Sequence, residues 1–165
     1  MFKFLKCDIL RSGANIICHQ VNCKGVMGSG VAKQIREQFP NVYDIYKQKC
    51  TASRPHKLLG VSQFVPVVTD KTPNFLGVFN LFGQKDYGYD GKQYTDYQAL
   101  RTAFTTMKSC IDTLSTVSDK RFSVAIPYKI GCGRGGGDWD VVLDIIYEVF
   151  NDSRYDILIC EYDGG

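Results

Sequence analysis

Residues 19–35, HQVNCKGVMGSGVAKQI, form the stretch of sequence that decides the fold. An apolar segment ends in polar side chains, a loop with three glycines follows, and an amphipathic segment begins directly after it. This order is typical of a β-strand that leads into a helix. The free N–H groups and positive dipole end at the start of such a helix favour anions, above all phosphate. The stretch therefore predicts a phosphate-binding loop with His19 and Asn22 beside it.

The rest of the chain alternates in the same way between segments with strand and helix patterns. The predicted strands cover residues 2–10, 15–21, 61–68, 75–81, 122–127 and 155–162. One helix is predicted from the glycine loop to Pro40, a second from a cap at Asn41, a third from a cap at Thr95 or Asp96, and a fourth from near Trp139. This alternation predicts an α/β protein, a three-layer α/β/α sandwich with a mixed central sheet.

Length, charge and cysteine usage narrow the class of protein. The chain has 165 residues and is expected to fold as one domain over residues 1–165, as a monomer. Its net charge of +3 is milder than that of a dedicated nucleic-acid-binding module. Seven cysteines without a C-x-x-C pair, and only two histidines, do not predict a metal site. We expect free thiols, a cytoplasmic location and no membrane association.

A second glycine-rich loop, residues 129–138 with the sequence KIGCGRGGGD, lies between a predicted strand and the helix near Trp139. Ligands of open α/β sheets bind outside the carboxyl ends of the strands, and glycine allows the backbone to approach a ligand closely. Two such loops at one edge would hold a diphosphate from both sides. The alternative is that the glycines only form tight turns. The spacing matches neither an ATPase P-loop nor a dinucleotide fingerprint.

Together these motifs resemble the macrodomain family, whose members bind ADP-ribose. The resemblance rests on the turn at Asp8-Ile-Leu, on the stretch from Val21-Asn22 to Gly28-Ser-Gly-Val-Ala, and on the second loop from Pro127 to Gly137. It implies a macrodomain-like fold over nearly the whole chain. It also implies that ADP-ribose or a derivative is the ligand. No metal or other cofactor is expected, because the predicted pocket has no cluster of carboxylates.

The resemblance implies roles for individual positions. Asp8, next to Ile9, would accept a hydrogen bond from the adenine amine, and Asn22 would hold the hydroxyls of the distal ribose. The two loops would contact the phosphates through Gly28, Ser29, Gly30 and Val31 on one side, and through Gly131, Cys132, Gly133, Arg134 and Gly135 on the other. As alternatives, Asp8 caps a turn and Asn22 forms an Asx turn.

His19 departs from the common family pattern, which has an asparagine at this position. With Asn22-Cys-Lys-Gly behind it, His19 resembles the branch that processes ADP-ribose 1''-phosphate. The first hypothesis is therefore a phosphatase, in which His19 activates water or reacts with the terminal phosphate and Asn22 orients the ribose. N–H groups of the loops would stabilise the developing charge. The alternative for His19 is a hydrogen-bonded histidine at a strand end.

Two other functions remain open. The region around Lys85 also resembles the branch that removes ADP-ribose from proteins or DNA bases, with Gln84 as the alternative register. Lys85 would then attack the anomeric carbon, unless it is a solvated surface lysine. An acid of that branch would fall near Gly135, and Asp138 is displaced from that position, although the stretch Gly-Gly-Gly-Asp-Trp resembles a loop of the same branch. Capping of the following helix is the alternative for Asp138. The third hypothesis is a reader of ADP-ribose without catalytic activity.

The predicted partners follow from these hypotheses. They are ADP-ribose or ADP-ribose 1''-phosphate, with an ADP-ribosylated protein or nucleic acid as the carrier in the second hypothesis. Tyr87, Tyr89 and Phe79 are candidates to border the pocket, because an aromatic ring packs well against adenine or ribose. A place in the core or on the surface is the alternative for each of these rings.

Overall fold

The computed structural model of the protein describes residues 1–162. Its strands are β1 Phe2–Lys6, β2 Ile16–Val21, β3 Ser62–Pro66, β4 Gly77–Phe82, β5 Ser123–Pro127 and β6 Asp156–Glu161. Its helices are α1 Gly30–Gln38, α2 Pro40–Ala52, α3 Pro55–Leu58, α4 Tyr97–Thr116 and α5 Trp139–Phe150, and a 3-10 turn spans Ile9–Arg11. In the part of the chain described, no helix is both long and apolar enough to cross a membrane.

The six strands form one mixed sheet in the order β1-β6-β5-β2-β4-β3. All neighbouring pairs are parallel except β3 and β4, which run antiparallel at one edge. The carboxyl ends of β5, β2 and β4 therefore meet at the same edge of the sheet, and the loops that follow them lie side by side. The predicted sandwich with a mixed sheet is confirmed.

Helices cover both faces of this sheet, and each strand in the middle contributes to two cores. In β2, Ile16 and Cys18 pack in the layer that contains α4 and α5. Ile17 and Val21 point the other way, into the layer that contains α1 and α2. The near-continuous apolar sequence of β2 follows from this burial on both faces. Each large apolar side chain buried in this way stabilises the fold by about 1.5–3 kcal/mol.

The longest helix, α4, confirms its predicted apolar stripe and resolves its cap. Within the stripe, the fully buried residues are Leu100, Phe104, Met107 and Ile111. Leu114, in the last turn of the helix, is 39% exposed, so the predicted stripe is not buried over its whole length. Asp96 is the cap, since its carboxylate accepts a hydrogen bond from the N–H of Ala99 at 3.0 Å. Thr95, the other candidate, instead donates a hydrogen bond from its hydroxyl to the carbonyl oxygen of Gly131 in the second glycine loop.

The first strand is shorter than predicted. It ends at Lys6 rather than Leu10, and a 3-10 turn at Ile9–Arg11 follows it. Asp8 causes this change, because its carboxylate accepts a hydrogen bond from the N–H of Leu10 at 3.0 Å. That bond draws the backbone out of the extended conformation.

Prolines set the start of two helices that differ from the prediction. The second helix begins at Pro40 itself and is not capped by Asn41. Proline suits the first helical position, because the N–H group that it lacks would have no partner there. The side chain of Asn41 instead donates to the carbonyl oxygen of Pro66 at 3.5 Å. The short helix α3, which also starts at a proline, Pro55, was not predicted.

Candidate functional site

A cleft of about 260 Å³ opens at the edge of the sheet where β5, β2 and β4 end. Its walls are the loop before α1, the loop after β4 and the loop between β5 and α5. The predicted site residues that line it are His19, Asn22, Gly28, Ser29, Gly30, Val31, Gly131, Gly133, Arg134 and Gly135. The tertiary structure thus brings both glycine loops to one cavity.

The second glycine loop is packed too closely for side chains at some of its positions. A Cβ atom at Gly135 would lie 2.5 Å from the hydroxyl oxygen of Thr95 and 2.6 Å from the carbonyl oxygen of Gly131. At Gly133, by contrast, a Cβ atom would meet nothing within 4 Å. Close backbone approach therefore requires glycine at Gly135, which turn formation alone would not require.

Thr95 connects this loop to the end of the sheet. Its hydroxyl donates to the carbonyl oxygen of Gly131 at 2.6 Å and accepts from the side-chain amide of Gln20 at 2.8 Å. Its backbone N–H donates to the carbonyl oxygen of Gly135 at 2.9 Å. The amide of Gln20 also donates to Gln84 at 2.7 Å. This buried network fixes the second loop against β2 and the loop after β4.

Asn22 organises the first loop from within. Its side-chain oxygen accepts from the N–H of Lys24 at 2.9 Å and from the hydroxyl of Tyr46 at 2.9 Å. Its amide nitrogen donates to the carbonyl oxygen of Val26 at 2.8 Å. The Asx-turn interpretation is therefore confirmed. With its oxygen used by the loop, the side chain keeps one N–H for a ligand, so it can donate to a ribose hydroxyl.

His19 is buried at the base of the cleft, with 1% of its surface exposed. Its Nε2 atom lies 2.6 Å from the side-chain oxygen of Asn80 on the neighbouring strand. The amide nitrogen of Asn80 donates to Gln63 at 3.1 Å, which orients the Asn80 oxygen toward the ring. Nε2 therefore carries the proton, and Nδ1 is left as an acceptor without a partner among the described residues.

Burial decides the charge of this imidazole. It lowers the pKa of His19 from 6.5 to about 4, and the hydrogen bond with Asn80 opposes this shift only in part. The ring is consequently neutral near pH 7. The hydrogen-bonded strand-end histidine considered from the sequence is thus present, with a free lone pair on Nδ1.

Two cations line the cleft, and both belong to the second loop. The guanidinium carbon of Arg134 lies 4.1 Å from the ring centroid of Tyr89, across the mouth of the cleft. Lys129 has a φ of 59°, which is left-handed backbone that residues other than glycine rarely adopt. No aspartate or glutamate is among the lining residues that the structure describes. The cleft therefore presents a positive, acid-free surface, suited to a ligand with several phosphates.

Four predicted site residues do not line the cleft, and two of them, Asp8 and Ile9, lie beyond β1. Asp8 uses its carboxylate to cap the 3-10 turn, as the turn-capping alternative predicts, and Ile9 is buried in the core. The third, Lys85, is exposed outside the cleft, while Gln84, the alternative register, lines it.

The fourth, Cys132, donates a hydrogen bond from its thiol to the carbonyl oxygen of Ile130 at 3.3 Å. Burial, with a smaller contribution from the charge of Asp138, raises the pKa of this thiol to about 11. Asp138 itself caps α5, because its carboxylate accepts from the N–H of Asp140 at 2.8 Å. The capping interpretation of Asp138 is thereby confirmed.

Several lining residues were missed or only partly foreseen. Tyr87 and Tyr89 border the cleft as expected, whereas Phe79 is buried in the core. Gln20 was not predicted as part of the site. Its one sequence signal is a long amide in a strand that is apolar apart from the neighbouring His19. Lys129 was also missed, because nothing in a sequence reports a positive φ at a lysine.

These features define a class of protein: an α/β/α sandwich with an anion-binding cleft between two glycine loops at the carboxyl edge of its sheet. Residues 18–146 match the family model of the Macro domain. The chain belongs to the Macro domain family.

Among curated relatives, the ADP-ribose 1''-phosphate phosphatase of Scheffersomyces stipitis is 34% identical over 47% of this chain and 49% of its own length. The enzyme of the same name from Debaryomyces hansenii is 26% identical over 98% of this chain and 100% of its own. The DNA ADP-ribosyl glycohydrolase of Mycobacterium tuberculosis is 26% identical over 96% of this chain. The chain spans only 41% of the glycohydrolase and about half of the first phosphatase.

Solved structures share the fold over almost the whole chain. The macrodomain of Mycobacterium tuberculosis DarG superimposes with a TM-score of 0.80 at 22% identity, covering 98% of this chain and 97% of that one. Thermosipho africanus DarTG in complex with ADP-ribose has a TM-score of 0.79 at 18% identity, covering 99% of this chain and 42% of that one. At these identities the likeness concerns the fold.

Proposed function

We propose that this protein binds ADP-ribose and hydrolyses the phosphate monoester of ADP-ribose 1''-phosphate. The observation that carries the proposal is the cleft itself. It lies between two glycine loops and is lined by Lys129 and Arg134 without an acidic side chain among the described residues. Such a surface favours a ligand with a diphosphate and a further phosphate. The similarity to the phosphatases of Scheffersomyces stipitis and Debaryomyces hansenii supports the same substrate.

In this proposal the diphosphate lies between the loops and accepts hydrogen bonds from their backbone N–H groups. The N-terminus of α1 at Gly30 points its dipole at one side of the cleft. The remaining N–H of the Asn22 amide donates to a hydroxyl of the distal ribose. Asp8, which follows β1, accepts a hydrogen bond from the adenine amine with a carboxylate lone pair that is not used by the N–H of Leu10.

The hydrolytic step in the proposal uses water as the nucleophile. The oxygen of the water forms a bond to phosphorus, and the bond between phosphorus and the ribose oxygen breaks. Nδ1 of the neutral His19 accepts the proton from the water, and the leaving ribose oxygen takes up a proton from solvent. Products are inorganic phosphate and ADP-ribose. Backbone N–H groups of the loops stabilise the charge on the transferred phosphoryl group.

Release of ADP-ribose from a modified protein or nucleic acid is the second candidate function. It is favoured by the similarity to the DNA ADP-ribosyl glycohydrolase over 96% of the chain. We place it second because Lys85 is exposed outside the cleft and Gln84, which lines the cleft, has no nucleophilic amine.

The test is to incubate the protein with ADP-ribose 1''-phosphate, with ADP-ribosylated protein and with ADP-ribosylated DNA, and to identify the products. Inorganic phosphate with ADP-ribose from the first substrate supports the phosphatase. Free ADP-ribose from either conjugate supports the glycohydrolase. Calorimetric binding of ADP-ribose without turnover of any substrate would assign a reader instead.

A further inference from the structure

Arg134 and Lys129, the two cations at the cleft, both lie over aromatic rings, but the guanidinium of Arg134 is closer to its ring than the ammonium of Lys129, which is 5.5 Å from the centroid of Tyr128. The guanidinium of Arg134 lies 4.1 Å from the ring centroid of Tyr89, and none of the ion pairs among residues 1–162 includes it. Stacking on an aromatic face holds the planar fork of arginine in place and leaves its N–H donors at the edge available. This arrangement suits the bidentate capture of a phosphate.

The acids nearest to this pair in the sequence are already engaged. Asp90 accepts a hydrogen bond from the hydroxyl of Tyr94 at 2.8 Å and pairs with Lys92 at 3.6 Å. Asp86 accepts from the N–H of Tyr87 at 2.8 Å. The loop that carries Tyr89 thus satisfies its own carboxylates and does not neutralise Arg134.

Strand order places the pair across the end of β2. Arg134 follows β5 and Tyr89 follows β4, and these two strands flank β2 in the sheet. Asn22 directly follows β2, whereas Asp8 follows β1 at the edge of the sheet. A ligand whose adenine lies toward Asp8 and whose distal ribose lies at Asn22 therefore places that ribose between the loops that carry Arg134 and Tyr89.

We propose that Arg134, held by Tyr89, is the residue that distinguishes an ADP-ribose derivative with a phosphate on its distal ribose from ADP-ribose itself. The inference rests on the proposed function, because it uses the orientation of ADP-ribose given there. A phosphate monoester carries close to two negative charges near pH 7, so it pairs with a guanidinium in a way that a ribose hydroxyl does not. Arg134 is a specificity residue and takes no part in bond breaking.

The experiment measures dissociation constants by calorimetry for two ligands: ADP-ribose, and the phosphonate analogue of ADP-ribose 1''-phosphate in which a methylene group replaces the ester oxygen. The wild-type protein is expected to bind the analogue more tightly. Arg134→Gln should weaken binding of the analogue by about tenfold and that of ADP-ribose only slightly. Tyr89→Ala, which frees the guanidinium, should weaken binding of the analogue less than Arg134→Gln does. Arg134→Lys should give a dissociation constant for the analogue between those of the wild type and of Arg134→Gln.

Arg36→Gln is the matched control. The guanidinium of Arg36 also stacks on an aromatic ring, 4.0 Å from the centroid of Tyr43, but Arg36 does not line the cleft. The Arg36→Gln substitution should therefore leave the dissociation constants of both ligands unchanged. The inference is overturned if the wild type binds ADP-ribose without preferring the analogue, or if Arg134→Gln keeps the preference. In both cases the proposal that the protein binds ADP-ribose still stands. A wild type that binds neither ligand overturns the proposed function as well.

Discussion

At the scale of single residues, burial changes the chemistry of the two polar side chains that flank the first loop. His19 has a lowered pKa and is therefore an uncharged acceptor near neutral pH. Asn22 has its oxygen committed to Lys24 and Tyr46, so that it acts toward a ligand only as a donor. Each side chain thus keeps only one of the two hydrogen-bonding roles that its residue type allows, acceptor for His19 and donor for Asn22.

His19 should make the stability of the protein depend on pH. Its pKa is about 4 in the folded protein and 6.5 as the ordinary value, so below pH 6.5 the unfolded chain binds the proton more readily. The free energy of unfolding should therefore fall by about 2 kcal/mol between pH 7 and pH 5 through this group alone. Chemical denaturation at both pH values measures it. His19→Asn should lose this pH dependence, and the control His56→Gln, at an exposed histidine, should retain it. Identical pH profiles for the wild type and His19→Asn would contradict the lowered pKa of His19.

The hydroxyl group of Tyr46 should stabilise the first loop. The side chain is fully buried and its hydroxyl lies 2.7 Å from the backbone oxygen of Asn22. Tyr46→Phe should lower the free energy of unfolding by about 1–3 kcal/mol, because it leaves a buried acceptor with fewer donors. It should also weaken ADP-ribose binding. Tyr43→Phe on the same helix, with a longer contact of 3.4 Å to Gly25, should change less; equal effects of the two changes would contradict the role of Tyr46.

At the scale of elements, the second glycine loop depends on segments far from it in sequence. Thr95 precedes α4, yet its hydroxyl and N–H hold the carbonyl oxygens of Gly131 and Gly135. Gln20, at the end of β2, completes the network. In the proposed function this loop binds a diphosphate with its backbone, and these bonds would hold its N–H groups in place before the ligand arrives.

Two glycine-to-alanine changes in this loop should have different outcomes. Gly135→Ala places a methyl group against the hydroxyl of Thr95 and the backbone of Gly131, so the loop has to shift. We expect a loss of about 1–3 kcal/mol in the free energy of unfolding. Gly133→Ala enters open space without a positive φ and should leave the stability within about 0.5 kcal/mol of the wild type. Thermal and chemical unfolding of both variants checks this, and a stable Gly135→Ala variant would count against the packing of the loop.

At the scale of the whole molecule, the parallel order of β5, β2 and β4 assembles the cleft. The lining residues come from parts of the chain that are up to 116 positions apart, from His19 to Gly135. A ligand that bridges these loops should therefore stabilise the fold as a unit.

ADP-ribose should raise the thermal stability of the protein. At a concentration about 100 times its dissociation constant, a ligand that binds only the folded state adds about 2.7 kcal/mol to the free energy of unfolding. Scanning calorimetry with and without ADP-ribose measures the shift in Tm. Adenosine, which has the base but no phosphate, is the control and should shift Tm much less. Equal shifts for the two compounds would contradict a cleft built for the diphosphate.

The amino-acid sequence by itself determined what depends on near neighbours in the chain. The alternation of strands and helices, the apolar stripe of α4, a cap at Thr95 or Asp96 and the two glycine loops are local, because spacing of three or four residues or a turn conformation sets each of them. The end of the first strand and the start of the second helix shifted where another local preference, at Asp8 and Pro40, was stronger.

Only the tertiary structure decided what joins distant residues. The pairing of His19 with Asn80, the contact of Gln20 with Thr95 and the stack of Arg134 on Tyr89 each connect segments that are separate in the chain. Their partners are chosen by strand order and register, and the resulting burial sets the charge of His19. Desolvation and geometry are properties of the assembled fold, so the sequence predicts the residue types at the cleft while the packing decides what each of them is able to do.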